Sequence, residues 1–294
     1  MYLKRSVTTL IIILLLTAGL LAQEKEKKEP TYGWIKNVVG SLNLTQTNFS
    51  NWEQGGEDNL AWQFNFNSKF VRNEPAYNWS NKGKLTYGQV KLGDQDSRKS
   101  VDEIKLESVY TRKIGIFVNP YASATMETQF AKGYQYSDTA QPQLISDFAD
   151  PVVFTESIGL GYSHNELIKS RLGISLKETI APDDDIRFLK GLPTYADDPD
   201  TPEIETSRTE LGAESVTELS WEMVKNTLLT SRLELFSNMQ QIKEVDVKWD
   251  TILTAKVNQY VNVNFNVKLY YDNDISKKRQ LKQALALGLT YTFI

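Results

Sequence analysis

The sequence predicts an all-β fold: a transmembrane antiparallel β-barrel of about twelve strands, with short periplasmic turns and long extracellular loops. Three observations predict it. Apolar and polar residues alternate with period two, the alternating segments are long enough to cross a bilayer as tilted strands, and short and long connections take turns between them. The 294 residues are 40% hydrophobic and 24% charged, with a mean hydropathy of −0.40. That is too polar for a helical membrane protein. At 11% aromatic residues the chain is also too rich in large rings for a disordered one. The absence of Cys excludes disulfides, thiolate metal sites, a Cys nucleophile and a lipoprotein anchor, and the single His excludes a His-rich metal cluster.

Lys4 and Arg5, the uncharged apolar run Val7 to Leu16 and the partly small-residue stretch Thr17 to Ala22 read as a secretory signal peptide, residues 1–22, cleaved before Gln23. The run is shorter than the ~20 apolar residues that a spanning helix needs. Loss of Lys4 and Arg5 takes the net charge from −4 to −6, so basic nucleic-acid binding has no support. Residues 23–33, with the mixed-charge stretch Glu24 to Pro30, are expected to form a disordered periplasmic tether, and residues 34–294 the barrel domain.

The strand segments lie near 38–49, 59–71, 79–92, 101–113, 115–133, 152–163, 167–180, 204–221, 226–239, 245–257, 260–271 and 281–293. The clearest is the eleventh. Val261, Val263, Phe265, Val267, Leu269 and Tyr271 alternate with Asn262, Asn264, Asn266, Lys268 and Tyr270. The last sets Leu285, Leu287, Leu289, Tyr291 and Phe293 against Ala284, Ala286, Gly288, Thr290 and Thr292. The third and fifth segments alternate poorly, so bulges or shifted ends are expected there.

Numbered in order, the odd connections are long and polar: 50–59, 93–100, 134–151, 181–203, 240–244 and 272–280. Most even ones are tight, such as Lys113–Ile114 and Asn258–Gln259. An even number of strands places both termini on the short-turn side, the periplasm. Trp221, Tyr110, Tyr162, Tyr260, Tyr291 and Phe293 then fall at the short-turn end, and Trp62, Trp249, Tyr87 and Tyr271 near the long-loop end. Two aromatic girdles are what two membrane interfaces select; a soluble sandwich would put its large rings mid-core.

Gly288, Tyr291 and Phe293, on the last amphipathic strand, resemble the C-terminal assembly signal of bacterial outer-membrane proteins, with Ile294 departing from the usual terminal aromatic. The stretch Ser41 to Asn59 carries Gln46, then Asn51-Trp52, Gly55-Gly56 and Asn59. It is similar to the opening of a family of uncharacterised outer-membrane barrels, a domain of unknown function, common in the Bacteroidota. The resemblance covers about one tenth of the chain and implies a fold and a location, with no reaction. Physically, Asn51, Trp52, Gly55 and Gly56 read as a turn that permits positive backbone torsions. With no helix start following, they do not read as a phosphate-cradling loop.

The lone His164 falls in a short-turn connection, on the wrong side for a catalytic His at the outer mouth. No catalytic, cofactor-binding or metal residues are expected. The lumen-lining candidates are Glu103, Lys105, Glu107, Arg208, Glu210, Glu214, Glu218, Arg232, Glu234 and Lys248, with Glu127, Arg171, Lys177, Asp246, Asp250, Lys256, Lys268 and Lys282 as neighbours. Charges of both signs on inward faces require pairing or hydration. Two readings stay open: a narrow pore or small-solute transporter with a charged lining, and a salt-bridged, plugged barrel with a structural or surface-interaction role. An enzyme using lumen carboxylates stands third. The acidic loop 181–203 could bind a divalent cation, against the plainer reading of a solvated surface loop. The expected partners are outer-membrane lipid and lipopolysaccharide, and the barrel-assembly machinery during insertion. A monomer in a Gram-negative outer membrane is expected.

Overall fold

The computed structural model describes residues 31–50, 56–136, 141–163, 167–181, 195–197, 203, 205–240, 245–272 and 276–294, the side chains of 276 and 277 excepted. The signal segment, the tether up to residue 30, Asn51, Trp52, Gly55, His164 and most of the acidic loop lie outside those residues.

Gly33–Ile294 forms one unit built of strands β1 (Gly33–Thr47), β2 (Asn59–Asn73), β3 (Tyr77–Leu92), β4 (Arg98–Arg112), β5 (Val118–Thr128), β6 (Gly133–Gln135), β7 (Gln143–Ser146), β8 (Val152–Ser163), β9 (Ile168–Ile180), β10 (Ser207–Val224), β11 (Thr227–Asn238), β12 (Val245–Lys256), β13 (Val261–Asp272) and β14 (Ser276–Thr292). Twelve of them close a barrel in the order β1-β14-β13-β12-β11-β10-β9-β8-β5-β4-β3-β2, while β6 and β7 pair as a separate hairpin. Every neighbouring pair in the barrel is antiparallel. Closure leaves no open sheet edge along the wall, the condition for a sheet to stand in lipid.

The period-two pattern explains the two faces. On β8 and β9, Ile158, Leu160, Leu172 and Ile174 point outward and are 55–66% exposed, whereas Ser157 and Ser175 point inward at 3% and 1%. An inverted distribution, apolar outside and polar inside, is stable only if the outer face meets hydrocarbon. Rings gather at the ends of this face. Trp34 and Trp79 (6.3 Å between centroids) and Tyr77 and Tyr110 (5.6 Å) lie at the short-turn end, and Trp62 and Tyr87 (5.7 Å) near the long-loop end.

Asparagines shape the short turns. Asn226 takes φ 67°, a left-handed conformation that Asn tolerates, in the two-residue link from β10 to β11. Asn258 Oδ1 accepts from the backbone N–H of Tyr260 and Val261 (2.8 Å each). The link from β4 to β5 spans 113–117 rather than Lys113–Ile114 alone. The reason is Asn119, whose Oδ1 collects the N–H groups of Ile114 and Gly115 (2.8 Å each) and wraps the chain around itself. Lys113 reaches across to Asn73 Oδ1 and Glu74 O (2.7 Å each), and partial burial pushes its ammonium pKa down.

The opposite end corrects the expected loops. The β3–β4 and β13–β14 links are only 93–97 and 273–275, whereas the β11–β12 link, 239–244, has about its expected length. The strands continue past their expected ends, and β13 and β14 pair as far as Asp272↔Ser276. The length asymmetry rests on the β1–β2, β5–β8 and β9–β10 connections. The fifth segment also ends early: β5 stops at Thr128, and Gly133 belongs to the hairpin. Asp102, on the outer face of β4, draws the chain out of the wall. Its carboxylate accepts from Ala131 N–H (2.7 Å), Phe130 N–H (3.1 Å) and Lys99 Nζ (3.1 Å), and Phe130 lies over Tyr87 (4.9 Å). Asp102→Ala leaves the Phe130 and Ala131 amides without this acceptor, while Lys99 keeps Ala131 O (2.6 Å). It is expected to cost about 1–3 kcal/mol locally and to speed hydrogen exchange at Phe130 and Ala131. Unchanged exchange at both amides would contradict that role.

Candidate functional site

The lumen gathers the chain's charged side chains. All ten sequence candidates sit on its wall: Glu103, Lys105 and Glu107 on β4, Arg208, Glu210, Glu214 and Glu218 on β10, Arg232 and Glu234 on β11, and Lys248 on β12. Inward direction follows from strand alternation, and closure brings distant strands within reach of one another.

Glu107 and Arg232 form the centre. Arg232 bonds Glu107, Glu218 and Glu234, and Glu107 also holds Arg171 (2.9 Å) and Lys82 (3.4 Å). Beside it, Lys105 bonds Glu234 (2.8 Å) and Glu127 (3.4 Å), Lys248 bonds Glu127 (3.0 Å), and Lys268 bonds Glu103 (2.8 Å). A further group lies nearer the long loops. Lys177 holds Asp246 (2.8 Å) and Glu210 (3.4 Å), and Arg208 holds Glu210 (3.3 Å). Glu214 accepts from the buried Ser157 hydroxyl (2.7 Å).

Many of these pairs cross the lumen. From β4 to β11 the wall passes through β5, β8, β9 and β10, so the Lys105–Glu234 and Arg232–Glu107 bridges join nearly opposite sides. The same separation holds for Lys82 on β3 and Glu218 on β10 (2.5 Å), Lys248 on β12 and Glu127 on β5, and Lys268 on β13 and Glu103 on β4. Long side chains from both walls thus meet in the middle and constrict it. A cavity of about 460 Å³ remains beside them, lined by groups of both signs and by Asn37 and Asn67. Nearer the long loops, Tyr195 Oη donates to Ile145 O (3.0 Å), tying the β9–β10 connection to the β6–β7 hairpin.

Lys82 and Lys84, the latter 3.1 Å from Glu103, escape the sequence reading. The outward positions between and beside them, Asn81 and Gly83, are not apolar, so β3 shows no alternation. Their polarity has local causes: Asn81 Oδ1 accepts from Ser108 Oγ (2.9 Å), which in turn accepts from Trp79 Nε1 (3.0 Å). A register shift at Gly88/Gln89 disturbs the same strand. The presence of Ser80, Lys82, Lys84 and Thr86 at every second position was the available signal.

Of the loop motif, Gly56 is described. Its φ of +144° and the Phe49 ring, 2.5 Å from where a Cβ would stand, restrict the position to glycine. Asp58 closes the same loop, accepting from Phe49 N–H (2.7 Å) and Asn48 Nδ2 (3.0 Å). Gly288 faces inward, and Tyr291 and Phe293 touch edge-on outside (5.0 Å). Among the described residues no group of three or more His, Asp or Glu side chains is arranged to hold a metal ion.

A closed, even-stranded antiparallel barrel with an apolar outer face and a polar lumen is a transmembrane β-barrel of the outer-membrane type. Residues 44–134, from the upper half of β1 into β6, match a family described as Protein of unknown function (DUF3078). No curated protein matches the sequence. Among solved structures, the chain is similar to the translocator domain of autotransporter NalP from Neisseria meningitidis (9% identity, 97% of each chain, TM-score 0.40). It is also similar to the COG4313 outer membrane channel from Pseudomonas putida F1 (9% identity, 92% of this chain and 98% of the other, TM-score 0.41). These TM-scores are below one half, and the class follows instead from the barrel's own closure and faces.

Proposed function

We propose that the protein is an outer-membrane barrel providing a narrow passage for small solutes, constricted at mid-height by paired charges. The observation that carries this reading is the space of about 460 Å³ held open beside the cross-lumen bridges, many times the ~30 Å³ of one water. In a barrel whose lumen serves only as packing, side chains fill the interior. In this orientation the short turns face the periplasm, the loop holding Gly56 and Asp58 faces outside, and residues 41–59 mark a family seen in the Bacteroidota. Lipid and lipopolysaccharide surround the wall, and the barrel-assembly machinery reads the strand ending in Tyr291 and Phe293. The lumen is expected to do no covalent chemistry, because its carboxylates are engaged by Lys and Arg.

Planar-bilayer recording tests the passage. The wild type is expected to give small conductance steps. Replacing one cross-lumen pair with short neutral groups, Lys105→Ser with Glu234→Ser, is expected to enlarge them severalfold. Membranes that stay sealed with both proteins, after confirmed insertion, would overturn the passage. They would leave the second reading, a plugged barrel with a structural or surface role, which the bridges themselves and the Tyr195–Ile145 contact favour.

A further inference from the structure

We infer that the solutes passed are small anions bearing a carboxylate or phosphate group, and that Lys69, Lys82 and Lys84, with the amides of Asn37 and Asn67, form their binding site on the β1–β3 wall of the cavity. This rests on the passage reading above and adds the substrate class.

The charges of the wall are divided by strand. β14, β1, β2 and β3 are consecutive in the barrel and contain no Asp or Glu. They bring Lys69, Lys82 and Lys84 to the cavity, whereas each of its carboxylates comes from β4, β5, β10, β11 or β12. One side of the cavity is therefore purely basic.

The ladders sharpen this division. Glu107, Glu127, Glu218, Glu234 and Asp250 each stand directly opposite a Lys or Arg on a neighbouring strand. On the basic side cations also face cations, as Lys69↔Lys82 and Lys84↔Lys105. Like charges directly opposite one another are destabilising, and an anion lodged between them relieves the repulsion. Amides complete the two rungs: Asn37 stands opposite Lys69, and Asn67 opposite Lys84. Asn37, Asn67 and Lys69 point inward, are exposed and line the cavity.

Lys82 and Lys84 can turn to a solute without stranding a carboxylate. Glu218 and Glu107 hold Lys82 at 2.5 and 3.4 Å, both also bond Arg232, and Glu107 has Arg171 besides (2.9 Å). Glu103 and Asp250 hold Lys84 at 3.1 and 3.5 Å, and keep Lys268 at 2.8 and 3.7 Å. An ammonium carries three donors on a flexible stem, so an oxyanion is taken up by exchange of partners. A cation finds no such opening. The carboxylates of the cavity already hold basic side chains, and the lysine wall repels it. Linings of Lys and Arg are what select anions and phosphates in a pore.

Planar-bilayer recording of the full-length mature protein tests this. In a potassium chloride gradient the reversal potential is expected to show chloride passing severalfold more readily than potassium. Gluconate or inorganic phosphate, added to one side, is then expected to reduce the chloride current by occupying the site. Block by gluconate reports a carboxylate ligand, and block by phosphate a phosphate ligand. Lys69→Gln is expected to raise the half-blocking concentration severalfold, and Lys69→Gln with Lys84→Gln to raise it further. Lys69→Gln removes a cation–cation pairing and leaves every bridge named above in place, so the test survives if the double variant does not fold. Lys256→Gln neutralises an inward lysine of β12 that does not line the cavity, and is expected to leave that concentration near the wild-type value. Potassium favoured over chloride would overturn the inference while leaving a passage in place. So would a chloride current indifferent to both probes, or equal shifts from Lys69→Gln and Lys256→Gln. A membrane sealed to every ion would overturn the passage as well.

Discussion

Arg232→Met is expected to be the most damaging single substitution in the lumen. Arg232 bonds Glu107, Glu218 and Glu234, from β4, β10 and β11, so its removal takes a cation from three carboxylates at once. Each carboxylate keeps a weaker hold: Glu107 on Arg171 at 2.9 Å, Glu218 on Lys82 at 2.5 Å and Glu234 on Lys105 at 2.8 Å. Breaking a buried pair from one side costs about 3–5 kcal/mol, and the remaining partners and lumen water hold the loss near the lower figure. The measurement is urea unfolding of the barrel folded into lipid vesicles. Selectivity moves in a definite direction too, because the uncompensated carboxylates favour cations over anions in the conducted current. An unfolding midpoint equal to that of the wild type would mean that the bridges contribute no stability.

Ile174→Arg probes the opposite face and has an effect of similar size. Ile174 is the central residue of β9, lies opposite Ile158 and Ala213 on the neighbouring strands, and is 55% exposed on the outside of the barrel. An arginine near the bilayer midplane costs about 2–4 kcal/mol, falling toward zero near the interfaces. Trp34→Arg, at the short-turn end beside Trp79, is therefore expected to cost much less through the lipid term. Folding titrations into vesicles measure both. Equal costs at the two positions would mean that the centre of the outer face does not sit in hydrocarbon.

The sequence was most legible where one face is uniformly apolar. On β13 every second residue from Val261 to Tyr271 meets lipid, so period two survives intact. On β3 the outward Trp79 and Asn81 both bond Ser108 of β4, the alternation fades, and Lys82 and Lys84 go unseen. The pairing of charges was not legible even where the charges were. Lys82 meets Glu218 across 136 positions, and only closure of the barrel sets such a distance. The end of β5 is similarly nonlocal, since it depends on the Asp102 carboxylate of β4 capturing two backbone amides. Loop lengths were overestimated because polar residues continue β13 and β14 beyond the apolar band. Among the candidate sites, strand alternation indicated direction, while the partners across the lumen required closure of the wall at the β1–β14 seam, which pairs Val39↔Thr292 through Leu44↔Leu287.

The absence of cysteine from the chain allows the central claim, a lipid-spanning wall around a wet lumen, to be measured without background labelling. Single cysteines are placed in turn along β13, at Asn262, Val263, Asn264, Phe265, Asn266 and Val267, and the proteins are reconstituted in vesicles and treated with a small water-soluble thiol reagent. The account predicts labelling with period two: the positions of Asn262, Asn264 and Asn266 react, and those of Val263, Phe265 and Val267 are protected and quenched by a lipid-phase quencher. Equal labelling of both sets, or protection of the asparagine positions from water, would contradict it.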